Sequence, residues 1–322
     1  MAPDWQTQFT ETAFDKVDAF TADHPEISRD GVPQPGQGAT NRVIIARRGD
    51  GLVVFKVFCT PERKARETFG LRHWAETGLV PRLLYDVDDR MIATSYIPGN
   101  YLHESWGTEG GTAWQAACRA AGRTIATLAQ VPLSDSDRIS FEARFYEGLG
   151  PLEAYLSRIL DLGHRITGRD PDFRDCFWKD SLDFIEQQLD TILSQPRLLY
   201  HQDVSNLHVQ GGGCAGCFDL EMCRVGCAAM QLGAAAGMFL THPEGWRDFR
   251  EGWEATIGAC LSPQEHHAAA AAGHLLAWRE ISRYLSYDGT PGSGYDWAGP
   301  ADPARYRRVI EAVATMLDVE HP

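Results

Sequence analysis

Residues 198–223, LLYHQDVSNLHVQGGGCAGCFDLEMC, contain two short groups of polar side chains that could perform chemistry. His201, Asp203 and Asn206 form the first group, and Asp219 and Glu221 form the second, beyond a glycine-rich turn. Two runs with carboxylates, joined by a glycine turn, indicate that something charged is held between them. We therefore expect the two groups to face each other across a charged ligand.

Glycine and lysine residues nearer the N-terminus could contact an anion. Gly36 and Gly38 precede a strand-like run, and glycine lets backbone N–H groups approach an anion closely. Lys56 lies in the apolar run VVFKVF, where a buried lysine needs an acidic partner or a ligand. Glu67, in the next helical pattern, could reach Lys56. The alternative interpretation is that both side chains face solvent.

The elements that must position these residues begin with a strand-rich segment from about residue 31 to 99. NRVIIARRGDGLVVFKVF predicts a hairpin with Asp-Gly in its turn. A helix follows, with Thr60 as N-cap, Pro61 in its first turn and Gly78 just beyond its end. The runs PRLLYDV and RMIATSYI predict two further strands, and PGN ends the pattern.

The remainder of the chain has mainly helical periodicity. Only 198–200 and a hairpin over 207–220 look extended. Ser262 and Glu265 form the pattern of a capping box. The predicted fold class is α+β, with a small β-rich lobe at 1–98, a larger helical lobe at 99–322 and a ligand bound between lobes. The predicted helices cover 112–129, 141–162, 173–194, 228–240, 245–260, 263–287 and 303–317.

Charge and hydropathy restrict the partners and the compartment. The formal net charge of −14 argues against nucleic acid or an anionic membrane as a partner, since both require clustered lysine and arginine. It is compatible with a cationic small substrate. Residues 1–30 lack a basic start followed by an apolar stretch, and the longest apolar run, 228–240, is too short for a bilayer. We therefore expect a cytoplasmic protein without a signal peptide.

Four of the eight cysteines cluster in the sequence, at Cys214, Cys217, Cys223 and Cys227. Two close pairs of cysteines raise the alternative of a zinc site in a binding protein. Only five residues separate the pairs, however, and Phe218 and Leu220 among them alternate as in a buried strand. Free, buried thiols are the preferred interpretation.

Taken in order, the motifs match the functional parts of a kinase active site. The runs GQGATNRVIIA, VFKV, RETFGLRHW, LVPRLL, YIPG, HQDVSNLHV and GCFDLE resemble the aminoglycoside phosphotransferase and choline kinase group, which has a protein-kinase-like fold. The resemblance extends from about residue 36 to 233. It implies a small-molecule kinase that uses ATP or GTP with Mg²⁺.

The resemblance also implies a role for each matching residue. Asp203 would be the catalytic base or would orient the acceptor hydroxyl, with His201 bracing its loop. Asp219 and Asn206 would bind Mg²⁺, and Glu221 would lie near the metal or the acceptor. The nucleotide would be contacted by the residues of the N-terminal motifs, namely Gly36, Gly38, Asn41, Lys56 held by Glu67, and the hinge backbone at Ser95 and Ile97.

Three positions depart from the family pattern. Only two residues separate Asp203 from Asn206, where four are usual, so Ser205 or His208 could take over part of the role of Asn206. Gln202 stands where the family commonly has glycine, and Gln231 where relatives usually carry aspartate. A degenerate kinase that binds nucleotide or a partner without catalysis is therefore the competing hypothesis. Retention of Lys56, Glu67, Asp203 and Asp219 together favours the active enzyme.

The acceptor is the least specified partner. Members of the group phosphorylate hydroxyl groups of antibiotics, amino sugars, choline and related metabolites, and the helical lobe would supply the pocket. Tyr287, in the aromatic, turn-rich segment 286–303, is a candidate acceptor contact. An antibiotic-modifying or self-resistance enzyme is one expected outcome, and the oligomeric state is not predicted.

Overall fold

A computed structural model describes residues 4–35, 41–102, 111–146, 151–204, 206–210, 213–285 and 302–319. The chain divides into two compact units. One, the N-terminal unit, combines Met1–Pro98 with Gly216–Met222, and the other, the C-terminal unit, combines Gly99–Ala215 with Cys223–Pro322. Helices with small antiparallel sheets confirm the predicted α+β class. No helix of the described ranges is long and apolar enough to cross a membrane.

The N-terminal unit is built on a five-stranded sheet in the order β1-β2-β3-β5-β4. Its strands are β1 (Ile27–Ser28), β2 (Arg42–Arg48), β3 (Gly51–Val57), β4 (Leu83–Asp86) and β5 (Met91–Ser95). β3 is the central strand and pairs antiparallel with both β2 and β5. One face of the sheet is buried by apolar residues of β2, β3 and β5, including Ile44, Phe55 and Met91.

The hairpin between β2 and β3 forms as predicted, but its turn lies one residue earlier. Arg48 pairs with Gly51, so Gly49 and Asp50 form the turn instead of Asp50 and Gly51. Gly49 has φ 57°, and hairpin turns that need a positive φ at their first central position favour glycine there.

The predicted helix after β3 is α2 (Pro61–His73). Thr60 is its N-cap and accepts a hydrogen bond from the Arg63 N–H at 3.4 Å. The α-helix ends earlier than predicted, and a short 3₁₀ turn (Ala75–Thr77) continues to Gly78, which has φ 68°. A left-handed glycine at this position stops the helical path.

A helix that the sequence analysis did not predict, α1 (Asp4–Ala22), covers the sheet. Ala13 and Val17 of α1 are fully buried in one cluster with Ile44 and Phe55 of the sheet. Phe20 makes an edge contact with Phe55, with ring centroids 5.4 Å apart. The core of the N-terminal unit therefore lies between α1 and the sheet.

The C-terminal unit is mainly helical, and the capping box at Ser262 and Glu265 is confirmed by reciprocal hydrogen bonds of 2.7 and 3.3 Å. Its strands are β6 (Asn100–Tyr101), β7 (Leu198–His201), β8 (Leu207–Gln210) and β10 (Cys223–Gly226), while β9 (Gly213–Cys217) runs from this unit into the N-terminal unit. Its helices are α3 (Thr112–Ala129), α4 (Asp135–Phe145), α5 (Leu152–Arg169), α6 (Cys176–Ser194), α7 (Ala228–Met238), α8 (Pro243–Ile257), α9 (Pro263–Leu285) and α10 (Pro303–Met316).

Two predictions for this part of the chain are wrong. The single helix predicted over 141–162 is two helices, α4 and α5. Pro151 is the N-cap of α5, and a helix that came from the preceding residues could not continue through proline, which lacks a backbone N–H. The strand expected to reach Leu220 ends at Cys217, and Leu220–Met222 is a 3₁₀ turn. β10 was not predicted. The predicted helices that correspond to α6 through α10 agree to within three residues at each end.

Candidate active site

Lys56 is the centre of a buried ionic cluster in the N-terminal unit. The register of β3 places it opposite Val43 of β2 and Ile92 of β5, and the residue is only 8% exposed. Its Nζ donates to Glu67 Oε2 at 2.8 Å, forms an ion pair with Asp219, and lies 3.6 Å from Glu221 Oε2. The structure therefore brings together four predicted site residues.

The local backbone explains why these acids reach one lysine. Glu67 lies on the buried face of α2, which directly follows β3. The segment 216–222 is anchored to the N-terminal unit by a hydrogen bond of 2.7 Å from the Cys217 N–H to the Leu79 carbonyl. Asp219 has φ 59°, a left-handed conformation that aspartate tolerates better than most residues. The 3₁₀ turn that follows contains the buried Glu221.

Both carboxylate oxygens of Glu221 are bonded within the unit. Arg63 Nη1 donates to Oε1 at 2.7 Å, and the Asn41 side-chain amide donates to Oε2. Arg66 Nη1 donates to the Glu221 backbone carbonyl at 3.2 Å. The side chains of Glu221 and Asn41 are therefore parts of the buried framework around Lys56. The predicted contact of Glu221 with the metal or the acceptor stays a prediction.

The electrostatics of the cluster are unbalanced. Burial opposes the charge on Lys56, but the carboxylates of Asp219, Glu67 and Glu221 outweigh it and raise the lysine pKa above its ordinary value. For Glu67, burial is the largest influence and raises its pKa to about 7 despite the attraction of Lys56. Three acids thus share Lys56, and Arg63 pairs with Glu221. One negative charge is left over, and added positive charge would stabilise the ionised forms of the acids.

The acidic part of the cluster fits a hard divalent cation. Within the described parts of the chain, one group of three potential ligand residues has its atoms within 4.8 Å of one another, and it consists of Glu67, Asp219 and Glu221. All of its ligand atoms are oxygens, which Mg²⁺ prefers. No cysteine belongs to that group, and Cys217, Cys223 and Cys227 are buried thiols.

His201 and Asp203 lie at the end of β7 in the C-terminal unit. Gln231 of α7 holds the backbone of His201 at two points: its Oε1 accepts from the His201 N–H at 3.0 Å, and its Nε2 donates to the His201 carbonyl at 2.9 Å. His201 and Gln231 are buried, whereas Asp203 and Asn206 are half-buried. The Asn206 N–H donates to the Asp203 carbonyl at 3.2 Å, which makes the loop between them a tight turn.

The remaining predicted site residues are placed as follows. The Ser95 N–H donates to the Arg82 carbonyl, and Ser95 Oγ accepts from the Arg82 N–H, both at 2.9 Å. The side chain of Ile97 lies next to Gly216, within the same unit. Gly36, Gly38, Ser205 and Tyr287 lie outside the described residues.

Two contributors to these sites were not predicted. Arg63 precedes Glu67 by four residues in α2, so helical spacing places both on one face and could have identified it. Gln202 accepts hydrogen bonds from Arg224 and Arg279 in the C-terminal unit. No periodicity connects those three positions, so the sequence carried no signal for them.

Comparisons with known proteins identify the family and the fold of the chain. A family model described as the phosphotransferase enzyme family (APH) matches residues 31–272. No significant match was found in the comparison with curated proteins.

Solved structures show the same fold at low sequence identity. The aminoglycoside phosphotransferase APH(4)-Ia is 14% identical, with a TM-score of 0.60 over 95% of this chain and 99% of that one. A thermostable mutant of APH(4)-Ia, in a ternary complex with AMP-PNP and hygromycin B, is also 14% identical and gives 0.60 over 89% and 94%. Spectinomycin phosphotransferase APH(9)-Ia, in complex with ADP and spectinomycin, is 13% identical and gives 0.58 over 88% and 92%.

Proposed function

The chain belongs to the phosphotransferase enzyme family, and it is an enzyme that phosphorylates hydroxyl groups. We propose that it transfers the γ-phosphoryl group of ATP or GTP to a small molecule. The observation that carries the proposal is the cluster in which the buried Lys56 pairs with the buried Glu67 and the half-buried Asp219. Phosphoryl transfer depends mainly on positioning and on neutralisation of charge, and this cluster can supply both.

In the proposed site, Lys56 contacts the α- and β-phosphates of the nucleotide. Glu67 holds the ammonium group in place, as its 2.8 Å contact supports. Asp219 and Asn206 would hold Mg²⁺, which when bound would supply positive charge against the phosphates. Without a cation, the triphosphate and the acids would repel each other. Asn41 and Arg63 keep Glu221 in position behind the metal site.

Asp203 orients the acceptor hydroxyl and accepts its proton. The acceptor oxygen then forms a bond to the γ-phosphorus, and the bond from that phosphorus to the β–γ bridging oxygen breaks, with the nucleoside diphosphate as leaving group. The hold of Gln231 on the His201 backbone supports this role, because it fixes the loop two residues before Asp203.

The nucleotide base and phosphates are proposed to contact backbone groups. The Ser95 N–H is already bonded to Arg82, so the carbonyl at Ser95 and the backbone of Ile97 are the groups offered to the base. The turn with Gly36 and Gly38 covers the phosphates. ATP is the preferred donor, since solved structures of the same fold bind AMP-PNP or ADP.

The acceptor is proposed to be an antibiotic, an amino sugar or a related metabolite. The similar structures with hygromycin B and with spectinomycin support this class. A screen of such acceptors with ATP and with GTP, read as transfer of labelled phosphate, tests the proposal. Transfer to at least one hydroxyl compound is expected. Binding of Mg-ATP without transfer or hydrolysis under any condition would favour the non-catalytic alternative.

A further inference from the structure

Two buried arginines of the C-terminal unit bind the same side-chain oxygen. Arg224 Nε donates to Gln202 Oε1 at 3.0 Å, and Arg279 Nη1 donates to that atom at 2.7 Å. The two donor nitrogens can therefore be no further apart than the sum of these distances. Arg224 belongs to β10 and Arg279 to α9, so separate elements bring the two guanidinium groups together.

The positive charge of this pair is poorly compensated. Arg224 is 7% exposed and Arg279 is 3% exposed. Arg279 has Glu280 as an ionic neighbour at 3.2 Å, while among the described residues no carboxylate forms an ion pair with Arg224. The guanidinium of Arg224 lies instead 5.8 Å from the ring centre of Tyr155. Buried charges normally have ionic partners, so this arrangement is unusual in a chain with 44 acidic residues.

The pair still has donors to offer. The described hydrogen bonds use one nitrogen of each guanidinium, Nε of Arg224 and Nη1 of Arg279. The other guanidinium nitrogens make no described hydrogen bond, so they are the donors that a ligand would engage. A neutral amide oxygen cannot cancel two positive charges, whereas a carboxylate or phosphate can accept from both forks at once.

We propose that Arg224 and Arg279 bind an anionic group, carboxylate or phosphate, on the hydroxyl-bearing acceptor. The inference rests on the proposed phosphotransferase function, and it narrows the acceptor class. The site is one residue along the backbone from the proposed base, because Gln202, which binds both arginines, immediately precedes Asp203. An acceptor with an amine at this position would be repelled by the two arginines.

Binding of inorganic phosphate tests the anion site without any acceptor. We would measure Tm of the full chain against sodium phosphate at constant ionic strength, and the part of the response that belongs to the arginines is the part that Arg224→Gln removes. A Tm rise of roughly 2 °C is expected at tenfold excess over Kd. Arg224→Gln should lose the rise, and the exposed Arg123→Gln is the charge-matched control that should keep it.

Gln202→Glu keeps the test decisive if Arg224→Gln does not fold. The substitution places a carboxylate between the two arginines, so it should raise Tm without ligand and abolish the response to phosphate. A phosphate response that survives Gln202→Glu or Arg224→Gln, or that is absent from the parent protein, would overturn the proposal.

Matched acceptors test whether the anion belongs to the substrate. Glucuronate, glucose, glucosamine and glucose 6-phosphate share a sugar ring and differ in charge, and each is assayed with Mg-ATP beside every acceptor found active in the screen. Active anionic compounds should lose about tenfold or more in kcat/KM in Arg224→Gln and be inhibited competitively by inorganic phosphate. Neutral compounds should keep most of their kcat/KM in Arg224→Gln, because they carry no charge for the arginines to bind.

Failure of the inference can be told apart from failure of the proposed function. If the active acceptors are neutral or cationic and keep their kcat/KM in Arg224→Gln, the enzyme stands and the anion inference is wrong. If phosphate binds at the arginines but does not compete with any active acceptor, the anion is an effector and the inference is again wrong. Absence of all phosphoryl transfer and Mg-ATP hydrolysis, in contrast, would contradict the proposed function itself.

Discussion

Lys56 and Asp219 form an ion pair although 163 positions separate them in the sequence. The pair exists because residues 216–222 belong to the same compact unit as the sheet that contains Lys56. Around the pair, Glu67 and Glu221 are buried, so three acids share Lys56 and only Glu221 has a second cation, Arg63. A site with this charge balance is suited to a cation and a phosphate group together.

Replacement of Lys56 by methionine should destabilise the fold and weaken nucleotide binding. The substitution leaves buried carboxylates without their cation, which costs about 3–5 kcal/mol in the free energy of unfolding. Urea denaturation measures this loss. Lys16→Met is the control, because Lys16 makes an exposed ion pair with Asp88 that contributes about 1 kcal/mol or less. Equal effects of the two substitutions would show that the cluster does not depend on Lys56.

Replacement of Asp219 by asparagine should remove Mg²⁺-dependent nucleotide affinity. Asparagine tolerates the positive φ of this position, so the backbone is retained while one carboxylate is lost. Calorimetric titration with Mg-ADP should show binding weaker by about tenfold or more. Asp50→Asn in the β2–β3 turn is the control. Unchanged Mg-ADP affinity in Asp219→Asn would place the metal elsewhere.

Gln231→Glu should make stability depend on pH. The Nε2 of Gln231 donates to the His201 carbonyl, and an ionised carboxylate cannot, whereas a protonated carboxyl can. Burial and the facing carbonyl raise the pKa of the introduced acid in the folded state, so its contribution is present at low pH and lost as pH rises through that folded-state pKa. Tm measured against pH should fall relative to the exposed control Gln187→Glu as pH increases. Parallel curves would refute the proposed hold on the loop.

Two glycine substitutions should have opposite effects on stability. A Cβ on Gly122 of α3 would lie 1.9 Å from the Phe249 carbonyl oxygen of α8, so Gly122→Ala must separate the helices and should cost about 1–3 kcal/mol or more. Gly168 of α5 has open space around it, and Gly168→Ala should stabilise the helix by about 0.5–1 kcal/mol. Thermal unfolding of both variants checks the signs. Two stabilising substitutions would contradict the close crossing of α3 and α8.

Local sequence patterns predict many of the helices and strands, and the wrong predictions have physical causes. The sequence analysis does not predict α1, although Phe9, Ala13, Val17 and Phe20 recur at helical spacing. The many polar residues of this segment make its apolar face hard to recognise. The two-residue hairpin turn was placed one residue late because Gly-Asp and Asp-Gly both occur in RRGDG. Only the strand register distinguishes them.

Long-range contacts could not be derived from spacing. The pairing of Lys56 with Glu67 was expected, since helix α2 follows β3 directly. The bonds from Asn41 and Arg63 to Glu221 join residues more than 150 positions apart and depend on how the chain returns to the sheet. The same holds for Gln202 with Arg279, because neither residue belongs to a motif that predicts the other.

Single-turnover release of γ-phosphate from Mg-ATP, with and without an acceptor found by the screen, tests the central claim most directly. The account predicts that Asp203→Asn lowers this rate by about 10²–10⁴-fold while Mg-ADP affinity stays unchanged, because the residue acts on the acceptor and not on the nucleotide. The exposed Asp190→Asn should react like the parent protein. Equal single-turnover rates for Asp203→Asn and the parent would contradict the account.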